Sequence, residues 1–149
     1  MQIKQAQHAD IHILVILFEA YREFYGQKAD LPSSRKFLQE RFKNQENIVF
    51  IAYEEGKPMG FTQLYKTFSS VSLKPFYIIN DLFVHPEFRK KGVGKALLEH
   101  AKYFCETQGF KGLALETAVD NPAQKLYERL GWKKDEEYLH YFWTNSKSN

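Results

Sequence analysis

A basic, glycine-rich segment at positions 84–95 has the residue types needed to bind an anion. It reads Val-His-Pro-Glu-Phe-Arg-Lys-Lys-Gly-Val-Gly-Lys, between an apolar run and an amphipathic run. This order predicts a strand, a tight turn and a helix whose first N–H groups have no intrahelical acceptor and lie at the positive end of the dipole. Gly92 and Gly94 leave room for an anion to approach that helix start. Four cations surround them: Arg89, Lys90, Lys91 and Lys95.

Three glycine-rich phosphate motifs can be compared with this segment. A Walker A loop requires serine or threonine after its lysine, and Ala96 stands there. A Rossmann fingerprint requires a third glycine, and Leu97 stands there. The remaining pattern, R-x-x-G-x-G between a strand and a helix, resembles the pyrophosphate loop of the GNAT acetyltransferases, and Val93 lies within it. The alternative is a basic helix start on a solvated turn that binds nothing.

A second segment, positions 120–132, strengthens this resemblance. It reads Asp-Asn-Pro-Ala-Gln-Lys-Leu-Tyr-Glu-Arg-Leu-Gly-Trp and is similar to the GNAT signature that follows the fifth strand. The resemblance implies that Asn121 contacts the pantetheine arm and that Tyr127 points at the CoA sulfur. In the family the asparagine often lies one position earlier, where Asp120 stands, so Asp120 could share that role. The alternative for Tyr127 is an aromatic residue that packs in a core.

The same resemblance implies a direct attack of an amine on the thioester of acetyl-CoA. Main-chain groups of Leu82, Phe83 and Val84 would lie along the acetyl group and pantetheine, and an N–H near Leu82 or Phe83 would polarise the carbonyl. An alkylamine with a pKa of about 10.4 is neutral in roughly one molecule in a few thousand at neutral pH, so a proton must first be removed. Tyr127 is the candidate acid for the leaving thiolate.

The general base is left open by the sequence. Polyamine acetyltransferases of the family often have glutamate where Asn80 stands, and asparagine cannot be a base. Asp81 is adjacent, but neighbouring residues of a strand face opposite ways. Glu116 or a bound water are further candidates. The residues expected near the acceptor are Tyr21, Phe24, Tyr25, Asn80 and Asp81.

Composition narrows the class of protein. The chain has 149 residues, a net charge of +3 and one cysteine, Cys105, so a disulfide within the chain and a cysteine metal cluster are excluded. Its basic residues are scattered, which argues against a nucleic-acid partner. The N-terminus is too polar for a signal peptide, and no apolar run is long enough to span a membrane. We therefore expect a cytoplasmic protein that needs no metal and has neither nucleic acid nor a membrane as partner.

The elements that must position these residues follow from periodicity and turn residues. The predicted order is strand, two helices, three strands, helix, strand, helix, and a final strand at Tyr138–Thr144. This is an α/β protein, and the resemblance implies the GNAT fold, with a mixed, mostly antiparallel sheet of about six to seven strands and about four helices. Residues 1–145 are predicted to form a single domain, followed by a short polar tail at 146–149.

The sequence therefore predicts an acetyl-CoA-dependent N-acetyltransferase that acts on a primary amine such as a small amine, a polyamine or an amino acid. One alternative is a non-catalytic acyl-CoA-binding module of the same fold. Another is an acetyltransferase that modifies a protein lysine or N-terminus. A homodimer is compatible with the sequence.

Overall fold

The computed structural model describes residues 1–147. The chain forms two compact units, Met1–Glu116 and the segment that begins at Thr117. The first unit contains a five-stranded sheet, three α-helices and two short 3-10 turns. The described part of the second unit contains one short helix. Among the described residues, no helix is both long enough and apolar enough to cross a membrane.

The sheet confirms the predicted α/β class. Its strands are β1 (Gln2–Gln5), β2 (Ile48–Glu54), β3 (Lys57–Ser69), β4 (Lys74–Val84) and β5 (Leu113–Leu115). They lie in the order β1-β2-β3-β4-β5, and each pairs antiparallel with its neighbour except β4 and β5, which are parallel. The helices are α1 (Ile11–Phe24), α2 (Leu31–Lys43), α3 (Val93–Thr107) and, in the second unit, α4 (Gln124–Arg129).

The predicted final strand at Tyr138–Thr144 is wrong. This segment has no strand pairing among the residues described, so the sheet has five strands instead of six or seven. Its apolar composition favours a strand, but a strand exists only where a neighbour supplies backbone hydrogen bonds. The segment exposes five large apolar side chains: Tyr138, Leu139, Tyr141, Phe142 and Trp143. We call these five residues the aromatic tail.

The strand period of two sends alternate side chains of the sheet to two different helical layers. Val49 and Ile51 of β2 belong to the buried cluster beneath α1 and α2. Phe50, between them, contacts His100 and Phe104 of α3 on the opposite face. The first unit is therefore a sheet with α1 and α2 on one face and α3 on the other.

Glu19 of α1 fixes the start of α2. Its buried carboxylate accepts hydrogen bonds from Arg22 Nη1 at 2.9 Å, from the Asp30 N–H at 2.6 Å and from the Ser34 hydroxyl. Burial raises the pKa of Glu19, but these three hydrogen bonds lower it by more, so the pKa lies below its ordinary value. The ionised side chain is therefore favoured by the fold.

Glu19→Gln is expected to destabilise the first unit by about 2 kcal/mol at neutral pH, because an amide offers one acceptor where three donors converge. The pKa of Glu19 is lowered in the folded state, so this contribution is fully present above the pKa of a free glutamate, about 4.3. It is lost as the pH falls through the lower, folded-state pKa. Urea unfolding across that range measures the effect. Glu23→Gln, at an exposed position of the same helix, is the control, and equal midpoints for both variants would contradict this role.

Candidate active site

The pairing between strands β4 and β5 ends halfway along β4. Their pairing runs only from Tyr77 to Ile79, whereas β4 continues to Val84. Beyond Ile79, no strand in the described part of the chain covers the β5-facing edge of β4. On its other edge β4 stays paired with β3 as far as Gly60, where an added Cβ would lie 2.5 Å from the Phe83 carbonyl oxygen. The main chain of Leu82, Phe83 and Val84 is thus held from one side and open on the other.

The loop after β4 has the backbone geometry of an anion site. A 3-10 turn at Pro86–Phe88 leads into it, and Lys90 and Gly92 both adopt positive φ angles, 64° and 78°. The first intrahelical hydrogen bond of α3 runs from the Ala96 N–H to the Gly92 carbonyl at 3.0 Å. The N–H groups of the first helical turn therefore have no intrahelical acceptor, and Gly92 offers no side chain to cap them. Converging amides of this kind bind phosphate oxygens.

The space in front of these amides is open. A Cβ added at Gly92 would meet no atom within 4 Å, and one added at Gly94 would meet only Val84 Cγ2, at 3.8 Å. Val93 is buried, so it can contribute its N–H and not its side chain. A pyrophosphate fits these free N–H groups chemically.

The cations that the sequence grouped around the loop have different positions. Arg89 donates from Nε to the Val84 carbonyl at 3.0 Å, and its guanidinium lies over the rings of Phe24 and Phe83 at 5.3 and 5.9 Å. It therefore links the end of β4 to α1. Lys91 lies over the Phe88 ring at 5.6 Å. Lys90 and Lys95 are exposed.

The three aromatic residues predicted near the acceptor come together with Phe83. Tyr21 and Tyr25 are 5.0 Å apart between ring centroids, Tyr21 and Phe83 are 6.0 Å apart, and Phe24 and Phe83 are 6.3 Å apart. Phe24 and Tyr25 are 60% and 59% exposed, whereas Tyr21 is partly buried. We call Tyr21, Phe24, Tyr25 and Phe83 the α1 aromatic cluster. Its solvent-exposed rings lie beside the open end of β4.

A β-bulge in β4 changes the direction of Asp81. Opposite Gln63 and Leu64 of β3 stand Asp81 and Ile79, so Asn80 is the extra residue. Without the bulge, Tyr77 and Asp81 would share a face. In the structure Tyr77 contacts Phe104 of α3, whereas Asp81 lies on the same face as Phe83, whose ring contacts Tyr21 of α1. Asp81 therefore lies on the face that carries α1, which simple alternation from Tyr77 does not predict.

Asp81 is a buried carboxylate at the end of a polar chain. It is 5% exposed, Gln63 Nε2 donates to its Oδ2 at 2.5 Å, and Asn47 Nδ2 donates to Gln63 Oε1 at 2.8 Å. Asn80 Nδ2 donates to its Oδ1 at 3.2 Å. Burial raises the pKa of Asp81, and the hydrogen bonds from Gln63, Tyr21 and Asn80 offset only part of this rise.

The charge of this carboxylate affects two tyrosines. Burial and the charge of Asp81 raise the pKa of Tyr21 far above its ordinary value and raise the pKa of Tyr65 to about 12. Tyr65 also lines an open groove of about 660 Å³ between α2 and β3. In that groove Arg41 lies over the ring of Phe37 and pairs with Glu46 at 3.0 Å.

Sequence reasoning missed Asn47, Gln63 and Tyr65. The available signal was weak: Phe61, Gln63 and Tyr65 alternate along a strand, and a glutamine on its buried face indicates a polar partner.

In the second unit, α4 carries Tyr127. Before the helix, Asn121 Oδ1 accepts the Ala123 N–H at 2.9 Å, so this side chain caps the turn. The Tyr127 ring is partly buried and lies 6.2 Å from the Trp132 ring. The main-chain N–H of Trp132 donates to the Tyr127 carbonyl oxygen at 3.0 Å. Both residues therefore belong to one folded turn and helix.

Comparison with known proteins assigns a family to this arrangement. The model of the acetyltransferase (GNAT) family matches residues 14–132. The uncharacterized N-acetyltransferase YhfO of Bacillus subtilis (strain 168) is 47% identical over 142 residues, which are 95% of each chain. A crystal structure of a probable acetyltransferase has a TM-score of 0.93 and 40% identity, covering 99% of this chain and 100% of the other. An aminoglycoside acetyltransferase from an uncultured soil metagenomic sample, solved with trehalose, has a TM-score of 0.83 and 25% identity, covering 97% and 95%.

Proposed function

The chain belongs to the acetyltransferase (GNAT) family and is an acetyl-CoA-dependent N-acetyltransferase. We propose that its acceptor is the primary amine of a small cationic molecule. The observation that carries the proposal is the α1 aromatic cluster beside a buried carboxylate. The exposed ring of Tyr25 attracts an ammonium group through its face, and Asp81 attracts it by charge. The structural relative that is an aminoglycoside acetyltransferase supports the same class, because aminoglycosides carry several amino groups.

The open loop and the free edge of β4 would hold acetyl-CoA. The N–H groups at the start of α3 would bind the pyrophosphate, with the charges of Lys90, Lys91 and Lys95 around it. The main chain of Leu82, Phe83 and Val84 would lie along the pantetheine and the acetyl group. In the second unit, Asn121 would contact the pantetheine through its amide nitrogen, because its oxygen caps the turn.

Acetyl-CoA supplies a thioester whose carbonyl carbon is open to attack. A main-chain N–H near Leu82 or Phe83 would stabilise the negative charge that develops on the carbonyl oxygen. The Tyr127 hydroxyl, with an ordinary pKa of about 10, would donate a proton to the departing sulfur. A cytoplasmic location and a reaction without a metal stay predictions from the sequence.

A panel of acceptors tests the proposed class. We would incubate the protein with acetyl-CoA and, separately, spermidine, kanamycin, free amino acids and a lysine-rich protein, and measure thiol release. Release with spermidine or kanamycin is the expected result. Release with the protein alone would favour the alternative of a protein acetyltransferase, and binding of acetyl-CoA without release would favour the non-catalytic module.

We also propose a homodimer through the aromatic tail, Tyr138, Leu139, Tyr141, Phe142 and Trp143. These side chains are 75–85% exposed within a run of six residues. Aromatic side chains bury about 150–250 Å² each, so the segment offers on the order of 800 Å² per copy, the area that one partner contributes to a standard interface. A second copy of the chain presents the same surface, so the aromatic tails of two copies would cover each other in a two-fold symmetric interface.

Phe142→Asp combined with Trp143→Asp is expected to convert a dimer to a monomer, because two desolvated carboxylates would oppose the interface. Light scattering after gel filtration measures the mass. Tyr103→Asp, at an exposed position of α3, is the control and should leave the dimer intact. A monomer mass for the unmodified chain at every concentration would contradict the proposal.

A further inference from the structure

We propose that Asp81 is the terminal proton acceptor for the acceptor amine, and that the Tyr21 hydroxyl relays the proton to it. This inference rests on the proposed function and names the base that the sequence left open. It requires three features: a carboxylate on the acceptor side of the sheet, a bridge from that carboxylate towards the surface, and a fixed orientation for both.

The first feature is the β-bulge. Asn80 is the extra residue of β4, and it turns Asp81 from the α3 face to the face that carries α1. The carboxylate reaches the α1 aromatic cluster for this reason alone. Regular pairing would have placed the Asp81 side chain beneath α3, among the apolar contacts of Tyr77 and Phe104.

The second feature is the bridge. Asp81 is 5% exposed, so an amine in solvent cannot contact it freely. Tyr21 is partly buried, and its hydroxyl donates to the carbonyl oxygen of Asn80 at 3.5 Å, next to Asp81 in β4. The charge of the nearby Asp81 carboxylate adds to the rise that burial gives the pKa of Tyr21. Its ring also contacts Tyr25, whose ring is exposed. The Tyr21 phenol therefore lies between the solvent-exposed ring of Tyr25 and the buried Asp81 carboxylate.

The third feature is the amide chain behind the carboxylate. Asn47 donates to the Gln63 oxygen, which leaves the Gln63 nitrogen to donate to Asp81. An ionised Asp81 carboxylate can only accept hydrogen bonds, so the nitrogen of the buried Gln63 side chain faces Asp81 and its oxygen faces Asn47. The arrangement holds one carboxylate oxygen in place and supports the ionised form that a base requires.

The proton balance of the step is complete. The ammonium gives one proton to the Tyr21 oxygen while the phenol passes its own proton to Asp81. The neutral nitrogen then forms the N–C bond, and the C–S bond breaks. The nitrogen releases its second proton, which restores through solvent the one that Tyr127 gives to the sulfur. Asp81 returns its proton to solvent after the product leaves.

The titratable groups that face Asp81 are consistent with this division of roles. They are Tyr21 on α1 and Tyr65 on β3, with Tyr25 acting on Tyr21, and Arg41 and Glu46 acting on Tyr65. The pKa values of Tyr21 and Tyr65 are both raised, so both phenols stay protonated near neutral pH and neither accumulates as a phenolate base. The pKa of Asp81 is raised by burial, which brings it closer to the pH at which a base must work.

The test compares Asp81→Asn and Tyr21→Phe with the unmodified protein, using acetyl-CoA and spermidine or kanamycin. We expect kcat to fall about 10²–10⁴-fold in Asp81→Asn and less in Tyr21→Phe, with unchanged affinity for acetyl-CoA. The unmodified rate should level off above the pKa of Asp81. The Asp81→Asn rate should keep rising with pH towards the pKa of the amine, about 10.4, so the two rates converge in alkali. Glu46→Gln, another carboxylate near Tyr65, is the control and should keep the unmodified profile.

A second readout does not depend on turnover. The carboxyl carbon of Asp81, followed by its NMR chemical shift, should titrate above the pKa of a free aspartate, about 3.9. Tyr21→Phe should shift that titration. Unmodified kcat and pH profile in both folded variants would overturn the inference and leave the proposed function standing. If the unmodified protein acetylates none of the amines, the proposed function fails and this inference with it.

Discussion

Substitution of Gly94 by valine is expected to weaken acetyl-CoA binding strongly and to leave the fold intact. A Cβ at this position would lie 3.8 Å from Val84 Cγ2, an ordinary contact, so the apo protein can accept it. The branched methyl groups would fill the space in front of the first N–H groups of α3, where phosphate oxygens must sit. We expect affinity to fall about 100-fold or more, which is about 2.7 kcal/mol.

Thermal unfolding with and without acetyl-CoA measures this prediction. The unmodified protein should gain about 2.7 kcal/mol of stability at a ligand concentration 100 times Kd, and Gly94→Val should gain almost none. Gly112→Val is the control, since an added Cβ there meets nothing within 4 Å and the residue lies outside the loop. Gly92 is a poorer site for the test because its φ of 78° strains any other residue. Normal affinity in folded Gly94→Val would reduce the loop to a capped turn.

Tyr127→Phe is expected to lower turnover by about 10²–10⁴-fold with near-normal affinity for acetyl-CoA. The change removes the hydroxyl proton donor and keeps the ring that packs near Trp132. A packing role would therefore survive the substitution, whereas a proton-donor role would not. Steady-state kinetics with the best amine of the panel gives kcat, and calorimetry gives the acetyl-CoA affinity.

Tyr138→Phe removes a hydroxyl from an exposed ring of the same unit and is the matched control. Its kcat should equal that of the unmodified protein. Full activity in Tyr127→Phe would mean that water or another group protonates the sulfur, and it would separate Tyr127 from the chemistry without changing the family.

Local patterns in the sequence predicted most of the fold. The order of elements from β1 to α4 is confirmed, because each has its own period and ends at a turn residue such as Gly109 or Gly131. The final strand was wrong because strand formation depends on a partner that composition does not reveal. Five exposed apolar side chains in that segment indicate a surface, and the sequence pattern alone could not distinguish a surface from a core strand.

The two parts of the candidate site differ in how far sequence could predict them. The anion loop is local, since its turn, its glycines and its helix start are contiguous from Pro86 to Val93. The acceptor side depends on long-range pairing. One bulge at Asn80 reversed the face of Asp81, and the bulge is visible only in the register between β3 and β4. Gln63 acquires its role only through that register.

The central claim is that this chain moves an acetyl group from acetyl-CoA to a small amine. The most direct test uses acetyl-CoA labelled in the acetyl group and measures free CoA and labelled N-acetylamine in the same sample. With spermidine or kanamycin, we expect equal amounts of both products from the unmodified protein, and far less of either from Gly94→Val. Intact acetyl-CoA, with no labelled amine from any member of the panel, would contradict it.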